Sequence, residues 1–569
     1  MTPSLQHQAA FETSKRLLAQ IVNEGLLRAS ILRINGDKTT WLWLRRPDYT
    51  SEQTKIKIVR VVVCPEIAGG IVTCEEVVSL LRPESLQPPI VLEEETGRLS
   101  IEYDPGALFS LLHKWFDRKV GVDLRDETIA ELRNSAANQV QWLKIGKISH
   151  IPDIHSPSIA WEKTLLWGHP THPWHRTCFA QPPLPAVTPD DIPDMVNPSI
   201  TFLSVPRAAL RITGPFENRL KPLLNKLHIP EPEAGRVIVP CLKQQLPSIS
   251  MRFPDAVAIS TIQPAQAQAS IRTITISPEF EFPYHVKLSL ACKITSALRT
   301  ITPWTACGGL AVSQLLQELL PTDLWVFTEA AAVCGGQEDF NEAKHLACIL
   351  RDNLESRAEA NGERLILAAA LTQKPVHEER CYAERLFGLG TLQKRKAWFQ
   401  SYASCLLQLT LPPLARHGIC LEAHGQNMVA RFCRETGALR GFAIRDFGGL
   451  RLHMPSLGSY GHQLDDIFPG SAIKTNNLHD VWSKAHHTLI QTHLGQLVTA
   501  LQLESQGGWA IVREQLCQIL RSDDLSNGRD LCDFFMQDTM PFKCFIKMKL
   551  EGKYRDYVER DLPNVLLTE

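Results

Sequence analysis

A chain of 569 residues with 44% hydrophobic and 21% charged side chains has ample core material but is too long for one core, so two to four domains or one subdivided α/β body is expected. Sixty basic and sixty-one acidic residues nearly cancel, which argues against nucleic-acid or membrane-surface binding and favours a small-molecule partner. Fifteen scattered cysteines with no CxxC pair argue against a disulfide framework or zinc ribbon, and the most apolar stretch, LILAAAL at 365–371, is far short of the roughly 20 residues that cross a bilayer, so a cytoplasmic location is expected.

The opening MTPSLQHQAAFETSKRLLAQIVNEGLL places Phe11, Leu17, Leu18, Ile21 and Val22 at helical spacing, and Glu12, Lys15 and Glu24 interrupt it too often for a signal peptide. SILRINGDKTTWLWLRR predicts a hairpin turning at Asn35-Gly36, where both positions tolerate positive φ. KIKIVRVVV (55–63) and GRLSIEY (97–103) predict strands, and Asp104-Pro105 starts a helix over DPGALFSLLHKWF. Residues 1–145 thus read as an α/β unit. Between 150 and 200, proline excludes a long helix while Trp161, Trp167, Trp174 and Phe179 exclude a solvated tether, so an ordered loop region is expected. ITFLSVP, GRVIVP and AVAIST predict short strands. ASIRTITIS and YHVKLSLACKITSALRTI alternate with period two: Ser270, Arg272 and Ile274 share one face of the first, and Lys287 and Ser289 point opposite to Val286, Leu288 and Leu290 in the second. From about 310 the pattern reads as helical, broken by a β-hairpin in LEAHGQNMVARFCRETGALRGFAIRDFGGLRL, and 478–569 reads as helical again.

Three groups of residues can carry chemistry. GHPTHPWHRT (168–177) spaces His169, His172 and His175 by three, but Pro170 and Pro173 exclude the helix on which that spacing would share a metal. Metal ligation, buried hydrogen bonding and a stiff loop presenting imidazoles to an anion stay open here. Ser270, Arg272, Thr273, Lys287, Thr295 and Arg299 put three cations and three hydroxyls within thirty residues. A cation inside a strand needs an internal carboxylate or an anionic ligand, and this density favours a phosphate or carboxylate cradle over a solvated face. Glu422, His424, Asn427 and Asp446 offer hard oxygen ligands on a hairpin, which suits Mg²⁺. A plain polar turn is the bland alternative, and HGQN with DFGG also resembles the magnesium-holding Asn and Asp of phosphotransferases.

Taken in order along about 280 residues, GHPTHP, SIRT, KLSLACKITSALR and EAHGQNMVARF followed by RDFGG resemble the NRPS-independent siderophore synthetases of the aerobactin-synthetase family. The resemblance implies a mixed α/β fold shaped as a cupped hand, with thumb (1–145), fingers (146–395) and palm (396–569) subdomains, a central mostly antiparallel sheet and a helical C-terminal region. It implies adenylation of a carboxylic acid, usually citrate, and its condensation with an amine or alcohol. ATP and Mg²⁺ are the implied cofactors; the partners are small molecules, with no nucleic acid or membrane, and many relatives are homodimers. Carried over position by position, Ser270, Arg272, Thr273, Lys287, Arg176, Glu422, Asn427 and Asp446 fall on the ATP side, with Glu422 and Asp446 as metal ligands. His169, His172, Thr295, Arg299 and His424 fall on the substrate side, and Arg272, Lys287, Arg299, His169 and His424 are the catalytic candidates. Arg176 stands where the family has Lys, PCLKQQ (240–245) replaces a His-Pro-Trp-Gln string, and the terminal Asn-Pro-Leu reads PNVL. A small-molecule phosphotransferase built on HGQN and DFGG, or a catalytically inactive binding relative, are the alternatives.

Overall fold

Strands Ala29–Arg33, Thr40–Arg45, Ile56–Val63, Leu86–Glu94 and Leu99–Ile101 form an antiparallel meander. The computed structural model describes residues 4–33, 39–48, 55–64, 80–263, 265–464, 471–553 and 558–568, so the Asn35-Gly36 turn lies outside the described residues although the strands on either side of it pair. Helices Leu5–Asn23, Pro105–Leu112 and Val122–Ile148 join this sheet through a core that unites Leu17, Ile21, Phe109 and Leu132 with Ile31, Leu42 and Val61. Asp104 caps the second helix by accepting from the Gly106 N–H at 2.8 Å, with Pro105 in the first turn, as the sequence predicts.

A six-stranded antiparallel sheet carries much of the site, in the order Ala265–Ala267, Thr273–Ile276, Tyr284–Leu288, Ala347–Asp352, Glu329–Gly335, Leu210–Thr213. A three-stranded sheet of Val257–Ile262, Ile200–Pro206 and Arg236–Leu242 shares its core through Phe202, Val239, Ile274, Val286 and Leu350. The predicted alternation fails in ASIRTITIS, whose strand begins only at Thr273. Ser270 Oγ accepts from the Thr273 N–H at 3.3 Å and bonds Thr273 Oγ1 at 3.0 Å, while Ile271 takes a left-handed φ of 67°. This local bonding replaces the sheet ladder, so Ser270 and Arg272 sit on a turn and not on a strand face with Ile274.

The helical reading after 310 is corrected as well. Helix Pro303–Leu319 is followed by strands Leu324–Val326, Glu329–Gly335, Ala347–Asp352 and Glu363–Leu367. Every residue of the first, second and fourth of these is buried, and a strand covered on both faces is a continuous apolar run that periodicity cannot tell from a buried helix. Leu324–Val326 runs parallel to Leu439–Ile444, which forms the predicted hairpin with Met428–Cys433. Helices Leu392–His417, Leu478–Ala485 and Gly508–Leu520 contribute to the core beneath it. The tail is helical as far as Phe535, but Thr539–Lys543 then pairs with Glu559–Pro563 around a short helix, Phe545–Leu550. Asn564 of PNVL docks this end, its Nδ2 donating to the Phe535 and Gln537 carbonyls at 2.8 and 2.7 Å. Among the described residues no helix is long and apolar enough to cross a membrane.

Candidate active site

Lys287 lies across the ladder from Thr273 and is only 1% exposed. Its Nζ donates to Asp446 Oδ1 at 2.9 Å and to Glu329 Oε1 at 3.3 Å, so internal carboxylates answer this buried cation, one of them from the distant RDFGG turn. Arg272 reaches from the SIRT turn to the carbonyls of Arg299 and Thr300, at 2.8 and 2.9 Å, and so joins the two cation-bearing segments. Arg299 Nη2 in turn donates to the Ile294 carbonyl at 3.3 Å and to Thr295 Oγ1 at 3.4 Å. Three of the seven non-glycine residues with positive φ among the described residues, Ile271 (67°), Thr295 (58°) and Asp446 (66°), lie beside or among the candidate side chains.

The acidic side is built by the hairpin. Burial pushes the Asp446 carboxyl up, but Lys287, Arg272 and Arg351 outweigh it and hold the group far below the usual carboxylate range. Burial acts likewise on Glu422, yet Lys484 and His424 bring it down to about 2, against a smaller opposing effect from Asp446. Both groups are therefore ionised and close enough to perturb one another. A Cβ on Gly449 would stand 1.8 Å from Glu422 Oε2, so glycine there lets the Glu422 carboxylate lie directly against the DFGG turn. Asn427 Nδ2 donates to the Glu422 carbonyl at 3.2 Å. Among the described residues no three His, Cys, Asp or Glu side chains are grouped to hold a metal alone. Two ionised oxygen donors nevertheless fit Mg²⁺, which leaves its other positions to phosphate and water.

The three loop histidines divide their roles. His175 bonds Thr13 Oγ1 at 3.0 Å and the Trp167 carbonyl at 2.9 Å, matching the buried hydrogen-bonding reading. His172 Nδ1 accepts from the Trp174 N–H at 3.2 Å and its Nε2 meets Ser296 Oγ at 3.3 Å, which docks the loop on the Cys292–Leu298 segment. His169 Nδ1 accepts N–H bonds from Thr171 at 3.3 Å and His172 at 3.1 Å. A neutral ring bonded that way carries its proton on Nε2, so His169 offers the site a donor and not a base. Burial, followed by the fields of His424 and Lys543, brings His169 down to about 3 and keeps it neutral. Arg16 braces the loop from the first helix, donating to the His169 and Trp167 carbonyls at 2.9 and 3.1 Å.

Arg176, expected on the ATP side, is engaged elsewhere: its guanidinium lies 4.1 Å from the Trp142 ring centroid and donates to the Leu165 carbonyl. Sequence reasoning also missed several residues. Lys484 Nζ donates to Glu422 Oε1 at 2.7 Å, and Lys543 and His487 contribute to the surroundings of His169. In LHDVWSKA and the tail, such residues read as the solvated face of helices. Arg445, whose one signal was its place beside Asp446, is buried against Glu162. Glu162 Oε2 accepts from the Ala269 N–H at 3.0 Å and Arg445 donates to the Gln426 carbonyl at 2.9 Å, so one ion pair ties the proline-rich loop, the SIRT turn and the hairpin together. In PCLKQQ, Gln245 accepts from the Ala291 N–H at 2.7 Å and donates to the His345 carbonyl at 3.0 Å, which braces the neighbouring strand.

Burial depresses His169, His172, His175 and His487 below their ordinary 6.5. At these four sites the unfolded chain then binds more protons than the folded one between the depressed values and 6.5, so the stability they contribute falls as pH falls through that window. Thermal melts at pH 7.5, 6.5, 5.5 and 4.5 should accordingly show little change over the first step and a steepening loss afterwards.

A chain with this site and this mixed α/β architecture can be placed among known proteins. Residues 257–373 match the family model described as "IucA / IucC family", and residues 396–558 one described as "Ferric iron reductase FhuF-like transporter". The chain is 43% identical to the NRPS-independent siderophore synthetase-like protein ankE of Aspergillus thermomutatus, over 99% of this chain and 96% of that protein. It is 33% identical to the NRPS-independent siderophore synthetase rfs of Rhizopus delemar, over 80% of this chain and 73% of that one. A D-ornithine–citrate ligase of Staphylococcus aureus is 26% identical over 50% of this chain and 49% of its own length. The ATP-bound aerobactin synthetase IucA of Klebsiella pneumoniae shares the fold, with a TM-score of 0.73 at 15% identity over 98% of this chain and all of that one. The chain belongs to the NRPS-independent siderophore synthetase family.

Proposed function

We propose that this protein is an ATP-dependent ligase that adenylates a carboxylic acid, citrate foremost, and passes the acyl group to an amine or alcohol, releasing AMP and pyrophosphate. The observation that carries this reading is the Lys287–Asp446 bond of 2.9 Å, which holds the cation-bearing sheet against the acidic hairpin. A relative named as a citrate ligase and a structural neighbour described as ATP-bound support the substrates. We read residues 1–145, 146–395 and 396–569 as the thumb, fingers and palm that form the cleft.

Carboxylates are poor electrophiles at neutral pH; attack of a carboxylate oxygen on the α-phosphorus of ATP forms an O–P bond, breaks the bond to pyrophosphate, and turns that oxygen into part of a better leaving group, AMP. Negative charge then grows on the phosphate oxygens and the departing pyrophosphate. Arg272, Lys287 and Arg299 lie where fixed cations can stabilise it, with Ser270, Thr273 and Asn427 as neutral partners. Glu422 and Asp446 would hold Mg²⁺, which supplies further charge neutralisation at the phosphates. Thr295 and Arg299 receive the acid's other carboxylates. His169 donates its Nε2–H to the acyl oxygen, while His172 keeps the loop seated through Ser296. In the second half-reaction the nucleophile attacks the acyl carbon, AMP departs, and the nucleophile's proton needs an acceptor. His424 suits that role, because burial lowers its pKa and its ring makes no hydrogen bond among the described residues.

Adenylation can be isolated by trapping the activated acid with hydroxylamine. Wild type should form hydroxamate from citrate with one AMP per turnover. Arg299→Ala should lose on the order of 10²-fold in that rate, the usual cost of removing one transition-state donor. An unchanged Arg299→Ala rate would remove the residue from the mechanism.

A further inference from the structure

We propose that Phe545 is a positioning residue for acid activation: its ring seats the Thr171–His172 turn, whose N–H groups fix the orientation of the His169 imidazole. The proposal rests on the reading of His169 as the donor to the acyl oxygen.

The histidine loop is held from two sides. From the first helix, Arg16 donates to the His169 and Trp167 carbonyls, and Gln20 Nε2 donates to the Thr171 carbonyl at 3.3 Å. From the tail, the Phe545 ring centroid lies 4.3 Å from that of His172 and 5.9 Å from that of His169, the second contact edge-on at 79°. These are the separations of aromatic rings in direct contact. Thr171 and His172 supply the two backbone N–H groups that His169 Nδ1 accepts. A ring pressed on His172 therefore acts on His169 through those bonds as well as directly.

Phe545 is itself anchored. It opens helix Phe545–Leu550, and Glu24, which ends the first helix, accepts from the Ile546 N–H through Oε1 and from the Lys547 N–H through Oε2, both at 2.7 Å. Ile546 and Leu550 are buried in the core of the N-terminal α/β unit together with Trp174, whereas Phe545 stays partly buried with the imidazoles against its ring. One helix thus fixes both the loop and the tail residue that rests on it. A phenyl ring carries no hydrogen-bonding group, so it can hold the imidazoles in place without competing for the nitrogens that set their tautomers. A side chain that only filled space would support every part of the site alike, and its removal would cost the same whether or not His169 were present.

The test is a double-mutant cycle on hydroxamate formation from citrate, with Phe545→Ala and His169→Ala made singly and together in the full chain. Phe545→Ala should slow wild type roughly tenfold, within the 10²-fold that a misplacement of about 1 Å can cost. In the His169→Ala background the same change should cost less than about twofold, because the group it positions is gone. Phe545→Tyr, which keeps the ring, should stay within about threefold of wild type. An equal loss in both backgrounds would overturn the proposal, and so would a wild-type rate in Phe545→Ala. Should Phe545→Ala not fold, Phe545→Leu, which keeps the apolar bulk but not the flat ring, carries the same comparison. A His169→Ala enzyme with the wild-type rate would instead remove the reading of His169 beneath the proposal, and the proposal with it.

Discussion

Replacing Lys287 by methionine is expected to abolish measurable acid activation, with a loss on the order of 10³-fold, at the upper end for one electrostatic group. Two effects act together. The variant removes a cation from the place where phosphate charge develops, and it leaves Asp446 and the 2%-exposed Glu329 without the ammonium that now separates them. Breaking a buried pair by deleting one partner costs about 3–5 kcal/mol, so the melting temperature should fall as well. Lys287→Arg should keep the fold but recover little activity, because a planar fork cannot take the place of a compact ammonium between two carboxylates. Hydroxamate assays and thermal melts on both variants separate these effects. Full activity in folded Lys287→Met would show that the pair is only structural.

The second large effect concerns His169. His169→Ala should slow acid activation on the order of 10²-fold, and His169→Gln, which keeps an N–H donor, should recover to within roughly tenfold of wild type. The shape of the pH–rate profile should stay the same in both, since a ring whose Nδ1 is committed to the Thr171 and His172 N–H groups has no free lone pair to act as a base. A His169→Ala enzyme that lost the acid limb of the profile would contradict this tautomer. His424→Ala should instead affect the condensation step.

Much of the candidate site was legible because chemistry-bearing residues stand out where their surroundings do not explain them. Lys287 inside VKLSL demands a partner wherever it is found, and HGQN and RDFGG carry hard donors on a hairpin that alternation predicts. The identity of that partner was not legible: Glu329 reaches Lys287 through sheet order and Asp446 through the packing of a separate sheet, neither of which a local pattern encodes. Lys484 failed for the same reason, since a lysine on a short amphipathic helix looks solvated until tertiary packing puts Glu422 beside it. Arg176 was placed on the ATP side by the resemblance alone; that Trp142 would stack on its guanidinium was not legible, because Trp142 lies thirty-four residues earlier on the helix Val122–Ile148. The strands between 324 and 367 were read as helix because burial on both faces removes the period-two signal. The SIRT turn was read as strand because Ser270 overrides the ladder with its own hydroxyl.

The most direct measurement is the identity of the nucleotide product when purified protein turns over ATP with a panel of di- and tricarboxylic acids. Acid-dependent AMP and pyrophosphate, with citrate among the best acids and exchange of labelled pyrophosphate into ATP before any amine is added, is the predicted result. ADP together with a phosphorylated acid would contradict it and return the hairpin to phosphotransfer, and no acid-dependent turnover of ATP at all would reduce the site to a binding pocket.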